Sequence, residues 1–222
     1  MNSVSERSDT LFEQIDAGCK QAGLNIGTSE ILKLTGFLVN LAKWNQAYNL
    51  TAIRDLDEMV VKHILDSLVV LPYLSGKTFL DVGTGPGLPG IPLAICDKTK
   101  HWTLIDSNGK KTRFLLQMKA ELALSNVTVI KGRIEALNPE TRYDMITSRA
   151  FSSLTHFVEV CCSLLKPEGE LMALKGQIPV GEIEQLDRSK YQITIESLSV
   201  PHLSEARNLV RVKSMKNGST QP

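Results

Sequence analysis

Apolar residues in the first 75 positions recur at helical spacing, whereas further on they gather into short runs separated by turn residues. Residues 10–22 carry the first helical pattern. Ile31, Leu34, Leu38 and Leu41 predict a second helix, opened by Thr28 as N-cap and closed near Trp44. A polar connector, residues 45–51, follows. Asp55 and Glu58 form a capping-box pattern for a third helix, with Leu56, Met59, Val60, Ile64, Leu68 and Leu71 as its apolar stripe and Pro72 as its stop.

From Lys77 strands alternate with helices, the signature of a parallel α/β sheet. Seven strands are predicted, at 78–82, 102–106, 127–130, 143–147, 171–175, 191–196 and 209–213. Between them lie a helix after a glycine-rich turn, a long one capped by Ser107 or Asn108 and running to about 124, one at 153–165 and one at 180–187. Pro167-Glu168-Gly169 reads as a turn. The expected fold is α/β and Rossmann-like: a mostly parallel seven-stranded sheet with helices on both faces. Residues 1–75 are expected to form a helical N-terminal extension packed on a core of residues 76–216, and residues 217–222 a disordered tail.

Composition adds boundaries rather than direction. With 42% hydrophobic and 22% charged residues in 222, this is an ordinary globular balance. The longest apolar runs, such as 68–71, fall far short of the roughly 20 residues a membrane span needs. Met1 to Arg7 contain no apolar h-region of a secretory signal, so a cytoplasmic protein without a membrane partner is expected. Cys19, Cys96, Cys161 and Cys162 form no CxxC pair and have no histidine at ligand spacing, so they read as small buried residues, and no metal site is expected. A net charge of +1 argues against a wholly basic nucleic-acid coat, but basic residues cluster at Lys110, Lys111, Arg113 and Lys119 and at Arg207, Arg211, Lys213 and Lys216. His63, Asp66 and Ser67 spell the letters of a hydrolytic triad; one helix presents them side by side, which the relay geometry forbids, so packing on the main domain is the favoured reading and a site at that interface the alternative.

The candidate chemistry is in the turn after the first strand. Gly85, Gly87 and Gly90 match the dinucleotide fingerprint G-x-G-x-x-G, with Asp106 about 20 residues on. The strand, however, ends at Asp81 and Val82, and the first glycine after it is Gly83. Read from there, Asp81-Val82-Gly83-Thr84-Gly85-Pro86-Gly87 looks like the D-x-G-x-G-x-G loop of S-adenosylmethionine-dependent methyltransferases. Asp81 can compensate the positive charge of that cofactor, and the loop from Gly83 through Thr84, Gly85, Pro86, Gly87 and Leu88 can lie against its amino-acid and ribose portion. Asp106, followed by Ser107, is placed to accept hydrogen bonds from the ribose hydroxyls. After the fourth strand stands Thr147-Ser148-Arg149-Ala150-Phe151, not the Asn/Asp-Pro-Pro-aromatic motif of amino methylation, and no cysteine for pyrimidine C5 attack. An acidic cluster for a metal-dependent O-methyltransferase is missing too. A target needing neither base nor nucleophile fits best, and guanine N7 is one.

With these residues, Lys43-Trp44-Asn45, Tyr48 to Ile53, His63, residues 65–68, 81–92, 105–111, 147–151 and 173–176, the chain resembles the bacterial 16S rRNA guanine-N7 methyltransferase family, also called glucose-inhibited division protein B. The resemblance implies a class I methyltransferase fold, S-adenosyl-L-methionine as methyl donor, S-adenosyl-L-homocysteine as product and a guanosine of 16S rRNA, guanosine 527 in the family, as target. It implies that Gly83 and Leu88 contact the cofactor, that Ile134 and Glu135 lie at its adenine end, and that Arg149 matches a cofactor-contacting arginine. Gly132 departs from the family's usual serine before Arg133, Ile134 and Glu135. Lys110, Arg113, Arg149, Lys175 and Arg207 are the candidates for the RNA, presented as naked 16S rRNA or as a small-subunit particle. No general base and no stable protein partner are expected, and a monomer is. A non-catalytic RNA-binding or assembly factor and a nicotinamide oxidoreductase are the rival readings.

Overall fold

The computed structural model describes residues 2–137, 140–149, 151 and 153–215. The predicted tail, 217–222, lies outside them. The chain opens with helices α1 (Asn2–Gln21) and α2 (Thr28–Tyr48), then a helical stretch in three parts: α3 (Leu56–Met59), a π-helical segment Val60–Leu65, and α4 (Asp66–Leu68). The sheet elements follow as β1 (Thr78–Val82), α5 (Gly90–Cys96), β2 (His101–Asp106), α6 (Gly109–Glu121), β3 (Val127–Lys131) and β4 (Tyr143–Ser148). The chain then forms α7 (Leu154–Cys161), β5 (Leu165–Lys175), α8 (Val180–Glu184), β6 (Tyr191–Leu198) and β7 (Arg207–Ser214).

The seven strands form one sheet in the order β3-β2-β1-β4-β5-β7-β6. β1 to β5 run parallel, and β7 pairs antiparallel with both β5 and β6. The order reverses between β1 and β4, which opens a crevice at their carboxyl ends. Successive strand residues face opposite ways, so each strand feeds two cores. Phe79, Leu104 and Met145 join one core with Ile91 of α5, Phe114 of α6 and the N-terminal helices; Leu80, Ile105 and Ile146 join the other with Phe157 of α7 and Ile183 of α8. Rings tie α2 to α6, with Phe37 at 5.9 Å and Trp44 at 5.6 Å from Phe114.

Several boundaries differ from expectation. Gly27, not Thr28, is the N-cap of α2, and no side chain caps it. α2 runs a turn past Trp44, because the buried Asn45 reaches forward to the Thr51 amide and the Ile53 carbonyl and ties down the connector, while Asn49 closes the helix in a left-handed conformation. The third predicted helix is interrupted by the π segment rather than continuous. Pro167-Glu168-Gly169 is not a turn between elements but lies within β5. Tyr143 pairs with Leu165 and Met145 with Glu170, so the extra β5 residues bulge from the ladder there, where a proline costs no hydrogen bond.

Candidate functional site

β1 is buried and ends at Val82, so the turn starts at Gly83, as the alternative register requires. The backbone takes positive φ at Gly83 (65°), Gly85 (62°) and Gly87 (98°). At Gly87 a side chain is excluded twice, since a Cβ would also lie 2.5 Å from Ile91 Cγ1 and 2.7 Å from Leu115 Cδ2. At Gly83 a Cβ would meet nothing within 4 Å, because this face of the turn is open.

Asp81 is fully buried beneath the turn. Its Oδ2 accepts from the Thr84 hydroxyl at 2.6 Å and from the Gly90 amide at 3.0 Å, so it braces the loop against α5. Burial pushes its carboxyl up to about 7, although these two bonds and Arg149 pull the other way. Its Oδ1 is buried without a partner, as is the Thr147 hydroxyl opposite it across β1 and β4. Asp106 ends β2 and accepts from the Gly85 amide at 2.9 Å and the Asn108 amide at 2.8 Å. Asn108 in turn caps α6 by accepting from the Lys110 amide.

Two clefts open at the carboxyl ends of the strands. The first, about 360 Å³, is lined by Gly83, Asp106, Ser107, Ile134 and Glu135, with Phe151 and His156 on the far side. An open glycine, a carboxylate and apolar walls make it suited to a nucleoside. The second, about 350 Å³, lies between the π segment, the end of β5 and the start of β7, and holds Arg149, Lys175 and Arg207 around Asp66. The chain leaving β4 divides them, giving Arg149 to one and Phe151 to the other.

Of the expected cofactor residues, five line the first cleft: Gly83, Asp106, Ser107, Ile134 and Glu135. Thr84, Gly85, Pro86 and Gly87 do not line it, nor does Asp81, expected to compensate the cofactor's charge directly or through water, which is buried and braces the turn. Leu88 is in the core, 2% exposed, since its side chain points away from the turn. Arg149 lines the second cleft, drawn there by the Lys62 carbonyl and Asp66. The expected RNA residues divide: Arg149, Lys175 and Arg207 share the second cleft, whereas Lys110 and Arg113 lie beside Lys131 in a separate depression at the start of α6. Further along β7, Arg211 is paired with Glu170 and Glu196, and Lys213 with Glu168, which removes them from the basic cluster.

His63, Asp66 and Ser67 form no relay. Ser67 Oγ donates to the His63 carbonyl, His63 Nε2 lies 3.0 Å from Thr51 Oγ1, and Asp66 turns to the arginines. Burial, helped by Arg149, pushes His63 down to about 4, so it is neutral at physiological pH. His156 in the first cleft and Lys62 in the second carried no signal in the sequence, because their partners come from other strands and helices. Arg133, Phe151 and Ile53 lie in stretches that carried the resemblance without being assigned a contact.

A family model described as rRNA small subunit methyltransferase G matches residues 30–210. A curated relative of that name from Marinomonas sp. (strain MWYL1) is 46% identical over 201 residues, covering 90% of this chain and 97% of its own length. One from Salmonella arizonae is 48% identical over 196 residues, covering 88% and 95%. Among solved structures, an S-adenosylmethionine-dependent methyltransferase from Aquifex aeolicus shares the fold with a TM-score of 0.52 at 21% identity, covering 68% of this chain and 90% of that one.

Proposed function

The chain belongs to the rRNA small subunit methyltransferase G family and is an S-adenosylmethionine-dependent rRNA methyltransferase, and we propose that its target atom is N7 of a guanosine in 16S rRNA. The observation that carries the reading is the pair of clefts on either side of the β4 exit, one suited to a nucleoside and the other lined with arginines. S-adenosylmethionine supplies an electrophilic methyl group on its sulfonium. In this reading Asp106 accepts from the ribose hydroxyls, and the open face of Gly83 admits the cofactor backbone. Ile134 and Phe151 offer apolar walls to the adenine. Arg149, Lys175 and Arg207 hold the RNA so that the guanine is presented at the division between the clefts.

Alignment is then the main catalytic contribution. Guanine N7 has an in-plane lone pair and needs no deprotonation before attack, in keeping with a neutral, buried His63. None of the four cysteines lines either cleft, so pyrimidine C5 attack has no thiol. Transfer moves positive charge from the sulfonium to the purine, so no base is needed to complete it.

The test has two readings. Asp106→Ala should weaken S-adenosylmethionine binding about ten-fold or more by calorimetry, the loss of a charge-assisted hydrogen bond. Borohydride and aniline treatment of 16S rRNA should cut at one guanosine only in cells that carry the gene. Unchanged affinity would overturn the cofactor site, and a methylated nucleotide that resists scission would overturn N7.

A further inference from the structure

The cations of the second cleft are largely compensated from within the chain. Arg149 and Arg207 share the Asp66 carboxylate, Lys175 meets Glu182, and Lys62 meets Glu58 and Glu205. The depression at the start of α6 is the opposite case. It encloses about 550 Å³, and its lining holds Lys110, Arg113 and Lys131 but no carboxylate. Among the described residues these three cations form no ion pair, and all three are exposed.

The cluster is unfavourable for the fold itself. Lys110 and Arg113 stand three residues apart, and so on one face of α6. Gly109 has no side chain, which lets Lys131 lie across that first turn: a Cβ there would stand 3.3 Å from its Cε and Nζ. Three cations gathered in this way repel one another. They also sit at the positive end of the helix dipole, in a first turn without an acidic residue. The Asn108 side chain already accepts from the Lys110 amide, so the cations rather than the helix end are what the depression offers. Leu116, 54% exposed, and Val129 add apolar surface that a ribose or base can cover.

The depression borders the first cleft. Ser107 lines the cleft and Asn108 the depression, and Gly132 and Lys131 divide in the same way. From β3, which ends at Lys131, the sheet runs through β2, β1 and β4 to β5, which ends at Lys175 in the second cleft. At ~4.8 Å per strand spacing the two ends lie roughly 19 Å apart, with the first cleft between them.

We propose that this depression is a second docking surface for the substrate RNA, in which Lys110, Arg113 and Lys131 bind its phosphodiesters on the flank of the cofactor cleft away from Lys175 and Arg207. RNA held on both flanks crosses the first cleft, which brings a guanosine over the methyl donor. The charges gathered against repulsion and dipole are satisfied only when the RNA is bound. This rests on rRNA being the substrate.

A full-length Lys110→Gln/Arg113→Gln/Lys131→Gln chain tests it against Lys77→Gln/Lys98→Gln/Lys190→Gln, which removes equal charge just before β1, β2 and β6. The first variant is expected to bind 16S rRNA about ten-fold or more weakly at physiological salt. Its plot of log affinity against log salt should lose about two to three units of slope, at ~0.7–0.9 per phosphate contact. The loss should fall on KM for rRNA rather than on kcat, with S-adenosylmethionine affinity at the wild-type value. Its melting temperature should equal or exceed that of wild type, because the repulsion is relieved. The second variant should bind rRNA within about two-fold of wild type, its charges lying more than a screening length away. Should the first variant fail to fold, Lys110→Gln and Lys131→Gln singly are each expected to lower the slope by about one unit. Undiminished affinity and slope overturn the proposal. So does an equal loss in the second variant, which would leave net charge as the cause. Polyglutamate bound as tightly as RNA of equal charge would also overturn it, by assigning the depression to an acidic protein. A chain that binds rRNA through these residues yet transfers no methyl group to it would instead overturn the function proposed above.

Discussion

Gly90 and Gly83 lie in the same turn region but should fail in opposite ways when given a methyl group. A Cβ at Gly90 would stand 2.3 Å from Leu104 Cδ2 and 2.8 Å from Asp81 Oδ2. Leu104 is fully buried on β2, and Asp81 is held by both Thr84 and the Gly90 amide, so neither has room to retreat. Overpacking of this kind costs about 1–3 kcal/mol, and stretching the two Asp81 bonds about 1 kcal/mol more, against at most ~1 kcal/mol gained in helix propensity. The net expectation for Gly90→Ala is a loss of about 1–4 kcal/mol, or roughly 2–16 °C in melting temperature for a chain of this size. Gly83→Ala meets no atom and bears only the left-handed strain at φ 65°, about 1 kcal/mol, but puts a methyl group into the first cleft. It should melt near wild type and bind S-adenosylmethionine about ten-fold or more weakly, a fold-change worth about 1.4 kcal/mol. Denaturant melts and calorimetry on both variants measure this, with Leu104→Ala as the control that makes room. In that background Gly90→Ala should cost about 1 kcal/mol less than in wild type. A Gly90→Ala chain as stable as wild type, or a Gly83→Ala chain with undiminished affinity, would refute the division of labour.

Two further outcomes follow from the same packing. Asp81 has a folded pKa of about 7, above its ordinary 3.8, so its contribution to stability is full below the lower value and is lost as pH rises through the upper one. At ~1.36 kcal/mol per pKa unit, Asp81→Asn should gain about 3 kcal/mol on wild type between about pH 5 and about pH 8 in urea titrations, and a pH-independent difference would refute this. Phe37→Ala should cost about 3–5 kcal/mol, since its fully buried ring packs on Phe114, and should do so in one transition seen alike by fluorescence and circular dichroism. Two separate transitions would mean that the N-terminal helices fold independently of the sheet.

The chain carries its architecture in local patterns. Short apolar runs between turn residues and helical stripes named the seven strands and most helices, because central strands must bury both faces and helices one, whatever their neighbours. The strand end at Val82 also determined the register of the glycine turn, and with it the place of Gly83 and Asp106 in the first cleft. What stayed hidden was anything decided by direction rather than spacing. Asp81 and Leu88 lie in the motif but turn inward, and Arg149 faces the second cleft because the Lys62 carbonyl and Asp66, more than 80 residues earlier, hold it. The π segment is equally silent in sequence, since its apolar stripe reads as an ordinary helix. A one-dimensional pattern records which residues must be buried; only the fold records which way each polar group faces and which distant partner it finds there.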